Sequence, residues 1–376
     1  MKKKLNILFI AIACLLVLPV AAFAQLPSPS HGWNLGNTLE PPCGEGCWGP
    51  AATQALINQI AAQGFNTVRI PCAWNSHAAA RTYAIDPAFM ARVKQVVDWC
   101  LAKNMSVIIN DHWDNGWFEN STFNRYDSRL NSHLQTLWQQ IANNFKNYDS
   151  RLLFACANEP NADTQAKTAV LFQYYQNWVN TIRATGGNNT TRWIIVQGPN
   201  TNPTKSYDWV TMPSDPTPGR LMLEVHYYEP WQFTEMTSDA NWGNMFYFWG
   251  QNYHSTTLPS RNPNWNSEEA FLNGEMDKMK TKFVNNGYPV LFGEWAADKK
   301  PAGSPGLTGG LIDLNYASVT YWNKYVHDAI NSRGMFGTCW DINGRIFDWN
   351  TGAILNQTLL DAVLGRSALP RPPGTL

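Results

Sequence analysis

LLFACANEPN, residues 152–161, opens with five apolar residues, Leu152 to Cys156, and then stops on Asn158, Glu159 and Pro160. The apolar run predicts a buried strand. An amide, an acid and a proline directly behind it place polar side chains where the chain leaves the core. The residue before a proline is kept out of the α region, so Pro160 holds Glu159 out of any following helix.

The same unit recurs outward in both directions. Further strands are predicted at 33–37 (WNLGN), 65–71 (FNTVRIP), 105–110 (MSVIIN), 192–198 (RWIIVQG), 220–228 (RLMLEVHYY), 288–294 (YPVLFGE) and 334–340 (GMFGTCW). Between them apolar residues return at helical spacing. One set is Leu56, Ile57 and Ile60. Phe89, Val93, Val96, Val97 and Cys100 follow an Asp86-Pro87 cap. Leu130, Leu134, Leu137, Ile141 and Phe145 form the next set, then Val170, Leu171, Tyr174, Trp178 and Ile182, then Val319, Trp322, Val326 and Ile330. Residues 356–365 supply the last helix. No clear helix precedes the strand at 220–228, and 229–286 is the longest connection. Eight short strands alternating with helices point to a parallel sheet. Over about 340 residues they predict an α/β fold, a (β/α)8 barrel in a single domain. The open doubly wound alternative lacks a Gly-rich phosphate loop after its first strand.

In such a barrel the C-terminal strand ends form the floor of the active site. Asn37 with Glu40, Arg69, His112, Asn158 with Glu159, Gln197, His226 with Tyr228, Glu294 and Trp340 all fall there. Glu159 and Glu294 occupy matching depths on the fourth and seventh strands. A pair of carboxyls in a dry cleft is what glycoside hydrolysis uses, one holding a proton and the other ionised. Arg69 is placed to keep one of them ionised. A lone Glu at a strand end is more simply a cap or an ion-pair partner. Two of them, flanked by His, Arg, Asn and Trp, are not. His112 and His226 with Asp111 or Asp114 lack metal-site spacing, so neither metal nor cofactor is expected. No G-x-S-x-G elbow is present. His133 and His327, on helices, are expected to be surface or satisfied residues.

Eighteen Trp exceed what a core absorbs and suggest a surface for a ligand with flat apolar faces, of which sugars are the commonest. Trp33, Trp48, Trp113, Trp117, Trp231, Trp242, Trp249, Trp265 and Trp295 fall near loops on the expected functional face. The N-terminus, MKKKLNILFIAIACLLVLPVAAFA, has three lysines, an apolar run and a small-residue end. It predicts a signal peptide over 1–24, a catalytic domain over 25–376, a secreted product and no membrane association after cleavage. Basic and acidic residues number 28 each; loss of the three N-terminal lysines leaves an excess of acids and no basic patch, which excludes nucleic acid as a partner. Export permits disulfides. Cys43 and Cys47 (CGEGC) are placed to pair, while Cys72, Cys156 and Cys339 are expected as buried thiols.

GWNLGNTLE (32–40), GFNTVRIP (64–71), NDHWD (110–114), NEP (158–160), HYY (226–228), GEW (293–295) and TCWD (338–341), in this order, resemble glycoside hydrolase family 5. The resemblance implies the barrel and a retaining double displacement, with Glu159 as acid/base and Glu294 as nucleophile. It implies that Asn158 binds the sugar 2-hydroxyl, that Arg69 and Tyr228 hydrogen-bond the nucleophile or its neighbours, that His112 and His226 line the same subsite, and that Trp340 is its stacking platform; Asn37, at the end of the first strand, is a further substrate-binding candidate. Members often carry two adjacent histidines after the third strand, where this chain has His112 and Trp113. The overall arrangement looks most like the endo-β-1,4-glucanases, acting as monomers on a polysaccharide. A β-mannanase is the alternative within the family, and a carbohydrate-binding protein without catalysis the alternative outside it.

Overall fold

The computed structural model describes residues 26–264 and 267–366. The predicted signal peptide and Trp265 lie outside the described residues. Eight strands close into a parallel barrel in sequence order: β1 (Gly32–Asn34), β2 (Thr67–Ile70), β3 (Ser106–Asn110), β4 (Leu152–Ala155), β5 (Ile194–Gln197), β6 (Leu221–Tyr227), β7 (Val290–Trp295) and β8 (Phe336–Cys339). The helices α1 (Gln54–Ala62), α2 (Pro87–Ala102), α3 (Ser128–Phe145), α4 (Gln165–Ala184), α5 (Pro203–Trp209), α6 (Trp231–Thr234), α7 (Glu269–Lys282), α8 (Gly310–Ser332) and α9 (Gln357–Val363) lie between or after the strands. Six of the eight strands end one to three residues before the end of the predicted run, because the last polar residues have already left the ladder, whereas β3 ends at Asn110 as expected and β7 runs one residue further, to Trp295.

Side chains alternate across a strand, and that period divides the core in two. Trp33, Val68, Ile109, Phe154, Cys156, Val196, Leu223 and Phe292 face outward and pack with the helices in one large cluster. Ile108, Leu153, Ala155, Trp193, Ile195, Met222, Leu291 and Phe336 form a separate cluster inside the barrel, joined by Leu26. Helix entries follow local chemistry. Asp86 caps α2 by accepting from Ala88 N–H at 2.8 Å with Pro87 at the first helical position, and Asp127, Thr53 and Thr164 cap α3, α1 and α4.

Two sequence expectations need correction. A helix does precede β6: α5, seven residues entered through an Asn202 cap and Pro203. It buries only Pro203 and Ser206, so it lacks the apolar stripe that marks longer helices. The stretch 229–286 is not one connection, since α7 occupies its second half and buries Leu272, Met276 and Met279. Among the described residues, 228–264 remains a long connection at the C-terminal end of β6, broken only by the one-turn α6 and two short 3-10 turns. It is anchored by a small cluster of Met236, Met245, Tyr247, Phe248 and Leu307, by the Arg261–Asp239 pair at 2.7 Å, and by Glu268, which accepts from Gly250 N–H and pairs with His254 at 2.7 Å. Among the described residues no helix is long and apolar enough to cross a membrane.

The thiols Cys72, Cys156 and Cys339 are buried and unpaired, as is Cys100, and Cys43–Cys47 forms a disulfide. Of the expected face tryptophans, Trp33, Trp249 and Trp295 are core residues, whereas Trp48, Trp113, Trp231 and Trp242 are exposed. His133 is not a free surface residue: its ring stacks on Tyr83 at 3.6 Å and meets Trp117 at 4.1 Å. His327 is buried, stacked on His31.

Candidate active site

Arg69, on β2, is the centre of the polar end of the barrel and is wholly buried. Its Nε lies 2.9 Å from Glu224, Nη1 donates to Glu294 Oε1 at 2.9 Å and to Asn34 at 3.0 Å, and Nη2 donates to Asn158 at 2.9 Å. One guanidinium thus fixes residues from β1, β6, β7 and the end of β4. Its planar fork suits this use better than an ammonium would. Asn34 in turn donates to the carbonyls of Gly293 and Thr338 at 2.9 and 3.0 Å, tying the site to β7 and β8.

Glu294 reaches the cleft through a bulge. Val225 pairs with Phe292 but His226 pairs with Glu294, so Gly293 is the extra residue. A side chain there has no room, because a Cβ on Gly293 would stand 1.9 Å from Glu224 Oε1. Oε2 of Glu294 accepts from Tyr228 OH at 3.0 Å, and its carboxylate is only 8% exposed. Glu159 is 42% exposed and bonds His226 Nδ1 at 2.6 Å and Thr201 OH at 3.3 Å. Opposing oxygens of the two carboxyls lie within 4.8 Å.

Electrostatics complete the arrangement. Burial alone would lower the His226 pKa, but Glu294, Glu159 and Glu224 outweigh it and push it up to about 10. Burial pushes the Glu294 carboxyl up, against the pull of His226 and Arg69. Burial would also raise Glu159, but its hydrogen bond to His226 and that group's charge bring it below the ordinary value. The imidazole Nδ1 therefore holds the proton that the Glu159 carboxyl would otherwise carry. His112 is driven well below the usual histidine value by burial and by the charges of Arg69 and His226. It is neutral, and the Asn110 amide at 3.2 Å from Nδ1 leaves its N–H on Nε2, 4.0 Å from Glu294. Its ring lies parallel to Trp340 at 5.7 Å. Glu159, His226 and Glu294 are close enough together to suggest a metal site. The two carboxylates among them already face Arg69 and His226, with Glu294 2.9 Å from the Arg69 guanidinium and Glu159 2.6 Å from His226 Nδ1.

The predicted strand-end residues Arg69, His112, Asn158, Glu159, His226, Tyr228, Glu294 and Trp340 are brought together. Asn37 enters only through its backbone, whose N–H donates to the Glu40 carboxylate, itself also bonded by Thr38 N–H at 2.8 Å. Gln197 buttresses the set, donating to Glu224 at 2.6 Å and accepting from Ala157 N–H at 2.9 Å. Two acids were missed. Glu224 stands in the middle of the apolar run LMLEVHY, two residues before His226 and so on the same face. A charge at that place in a buried strand is a signal of a paired site. Glu119 lies in a polar connection after β3 and has no such signal.

A family model described as cellulase, glycosyl hydrolase family 5, matches residues 34–345. The xyloglucan-specific endo-β-1,4-glucanase of Bacteroides ovatus is 33% identical over 353 residues, 89% of this chain and 68% of that protein. Endoglucanase A of Paenibacillus barcinonensis is 31% identical over 369 residues, covering 89% and 87% of the two chains. Among solved structures, a family 5 xyloglucan-specific β-1,4-glucanase from a ruminal metagenomic library, in complex with XXLG, superposes with a TM-score of 0.80 at 37% identity over 91% of this chain and 95% of that one.

Proposed function

Since the chain belongs to glycosyl hydrolase family 5 and is a glycoside hydrolase of the endo-β-1,4-glucanase type, we propose that it cleaves internal β-1,4-glucosidic bonds with retention, Glu294 acting as nucleophile and Glu159 as acid/base. The observation that carries this reading is geometric: Glu294 is held by Arg69 and Tyr228 while Glu159 is open to the cleft, and opposing oxygens of the two lie within 4.8 Å. Oxygens this close are compatible with direct attack on the anomeric carbon, for which the carboxyl groups stand roughly 5–5.5 Å apart.

In the first step Glu294 Oε2 attacks the anomeric carbon as the glycosidic C–O bond breaks. Arg69 holds Oε1 against the floor and Tyr228 OH steadies Oε2, so the attacking oxygen is aimed before substrate arrives. The proton passes from His226 Nδ1 across the 2.6 Å bond to Glu159 and on to the leaving oxygen. Consumption of the Glu294 charge in the ester weakens the hold on that proton. In the second step Glu159 takes a proton from water, the water oxygen bonds to the anomeric carbon, and Glu294 leaves. Asn158, fixed by Arg69, presents its amide to the 2-hydroxyl, and Trp340 with His112 forms the wall on which the sugar ring rests.

The substrate is a β-1,4-glucan, cellulose-like or carrying the branches of xyloglucan. The second form is favoured by the xyloglucan-specific relatives. We further propose that residues 1–24 are removed on secretion, that 25–376 is the mature chain, and that it acts as a monomer. Purified mature protein is expected to release reducing ends from carboxymethylcellulose and xyloglucan, and Glu294→Gln is expected to release none. An α-anomer as the first product by NMR would refute retention, and activity on mannan alone would move the substrate.

A further inference from the structure

Glu119 is a third buried acid at this site, outside the pair already described. Its Oε1 accepts from the Glu159 backbone N–H at 2.7 Å and from the Asn158 amide at 3.2 Å. Its own carbonyl accepts from Asn161 N–H at 2.8 Å. Pro160 brings no N–H, so the two N–H groups that bracket it both end on Glu119. Asn158 is thereby held at both ends of its amide, by Arg69 on the oxygen and by Glu119 on the nitrogen. Glu119 Oε2 is buried and has no hydrogen-bond partner. A structural clasp would not need a charge, and an unpaired buried carboxylate costs stability.

We propose that Glu119 is a positioning residue with two effects: it aims Asn158 and Glu159, and its carboxylate charge retains the proton shared by Glu159 and His226 at the alkaline end of the working range. This rests on Glu159 being the acid/base. Burial, with repulsion from Glu159 and Glu294, raises Glu119 to about 7. Asp111 and, from α4, Tyr175 also interact with it electrostatically. Glu159 in turn interacts electrostatically with His226, Arg69, Glu294, Tyr228 and Glu235. A negative charge appearing on Glu119 near pH 7 opposes loss of the neighbouring proton, so it moves the alkaline limb of activity upward.

The test is the pH profile of kcat/KM on cellohexaose for the wild type, E119Q, E119D and E159Q. E119Q keeps an oxygen for both hydrogen bonds and removes the charge. Its alkaline limb is expected to move down by about half a pH unit or more. E119D keeps the charge but loses reach, so its limb is expected at the wild-type position with kcat reduced several-fold. An E119Q limb that coincides with the wild type reduces Glu119 to a clasp and overturns the proposal. Should E119Q not fold, an acidward shift of similar size in E119D overturns it instead. If E159Q retains wild-type turnover and the same limb, the acid/base assignment itself fails. If E159Q abolishes turnover while E119Q leaves the limb in place, only the role of Glu119 fails.

Discussion

At the lower end of the barrel the inward residues are Leu26, Ile108, Leu153, Trp193, Ile195, Met222, Leu291 and Phe336. At the upper end, toward the C-terminal ends of the strands, they are Asn34, Arg69, Asn110, Gln197, Glu224, His226 and Thr338. Both sets are buried inside the same ring of strands. The lower layer is held by packing and loss of apolar surface from water. The upper layer is held by one fixed cation, one acquired proton and three carboxylates whose desolvation is offset only because each finds its partner. The difference shows that burial is not the source of stability at the upper end; it is what makes the charges there strong enough to matter for chemistry.

The largest effects are expected where the two layers are attacked in turn. Glu224→Gln leaves Arg69 with one anionic partner fewer, and should cost about 3–5 kcal/mol of stability together with a fall in kcat of roughly a hundredfold or more. Gly293→Ala should act similarly, because the new methyl displaces the Glu224 carboxylate from its place beside the bulge. Met222→Ala, two residues before Glu224 on the same face, should cost about 2–5 kcal/mol as a cavity mutation, yet leave kcat within about twofold of the wild type at a temperature where it stays folded. Chemical denaturation and steady-state kinetics on the three variants separate the layers. Loss of turnover in Met222→Ala equal to that in Glu224→Gln would abolish the distinction.

A smaller effect comes from pH. Burial raises Glu40, Glu119 and Asp341 to about 7. Each therefore binds its proton more tightly folded than unfolded. The stability this gives is complete below the unfolded value near 4 and is lost as pH rises through 7. Glu224 has the opposite sign: burial would raise it, but Arg69 and His226 pull it below its ordinary value. Its contribution is present above the unfolded value and lost as pH falls through the folded one. The two trends cross, so Tm should peak near about pH 5 and decline toward 8, with a further loss as His226 releases its proton around 10. Asp341→Asn should flatten the decline between about pH 5 and 7. A Tm that climbs steadily from pH 5 to 8 would contradict it.

The lower layer was legible in the sequence, because apolar strand runs and helical periodicities are local patterns. Much of the upper layer was legible too, once the barrel placed the strand ends on one face. Glu159 and Glu294 stand out as acids closing apolar runs. Glu224 was readable in principle as a charge inside such a run. Glu119 was not, since its burial depends on a loop folding back over the NEP turn and no local pattern encodes that. The same limit applies to the tryptophans. Trp33 and Trp113 both lie near strand ends, but only the closed barrel decides that the first is buried and the second 40% exposed.

Trp113 gives the smallest predicted effect and the finest test of where the upper layer ends. It follows His112 directly, yet its indole faces solvent while His112 stacks against Trp340. If the exposed ring serves as a stacking surface for a sugar beyond the cleavage point, Trp113→Ala removes about 1 kcal/mol of binding, equal to a several-fold rise in KM for cellohexaose with kcat unchanged. A shorter substrate that ends before this ring should show no change. A fall in kcat on both substrates would instead make Trp113 part of the frame that holds His112, and would extend the charge-bearing layer one residue further out than its burial indicates.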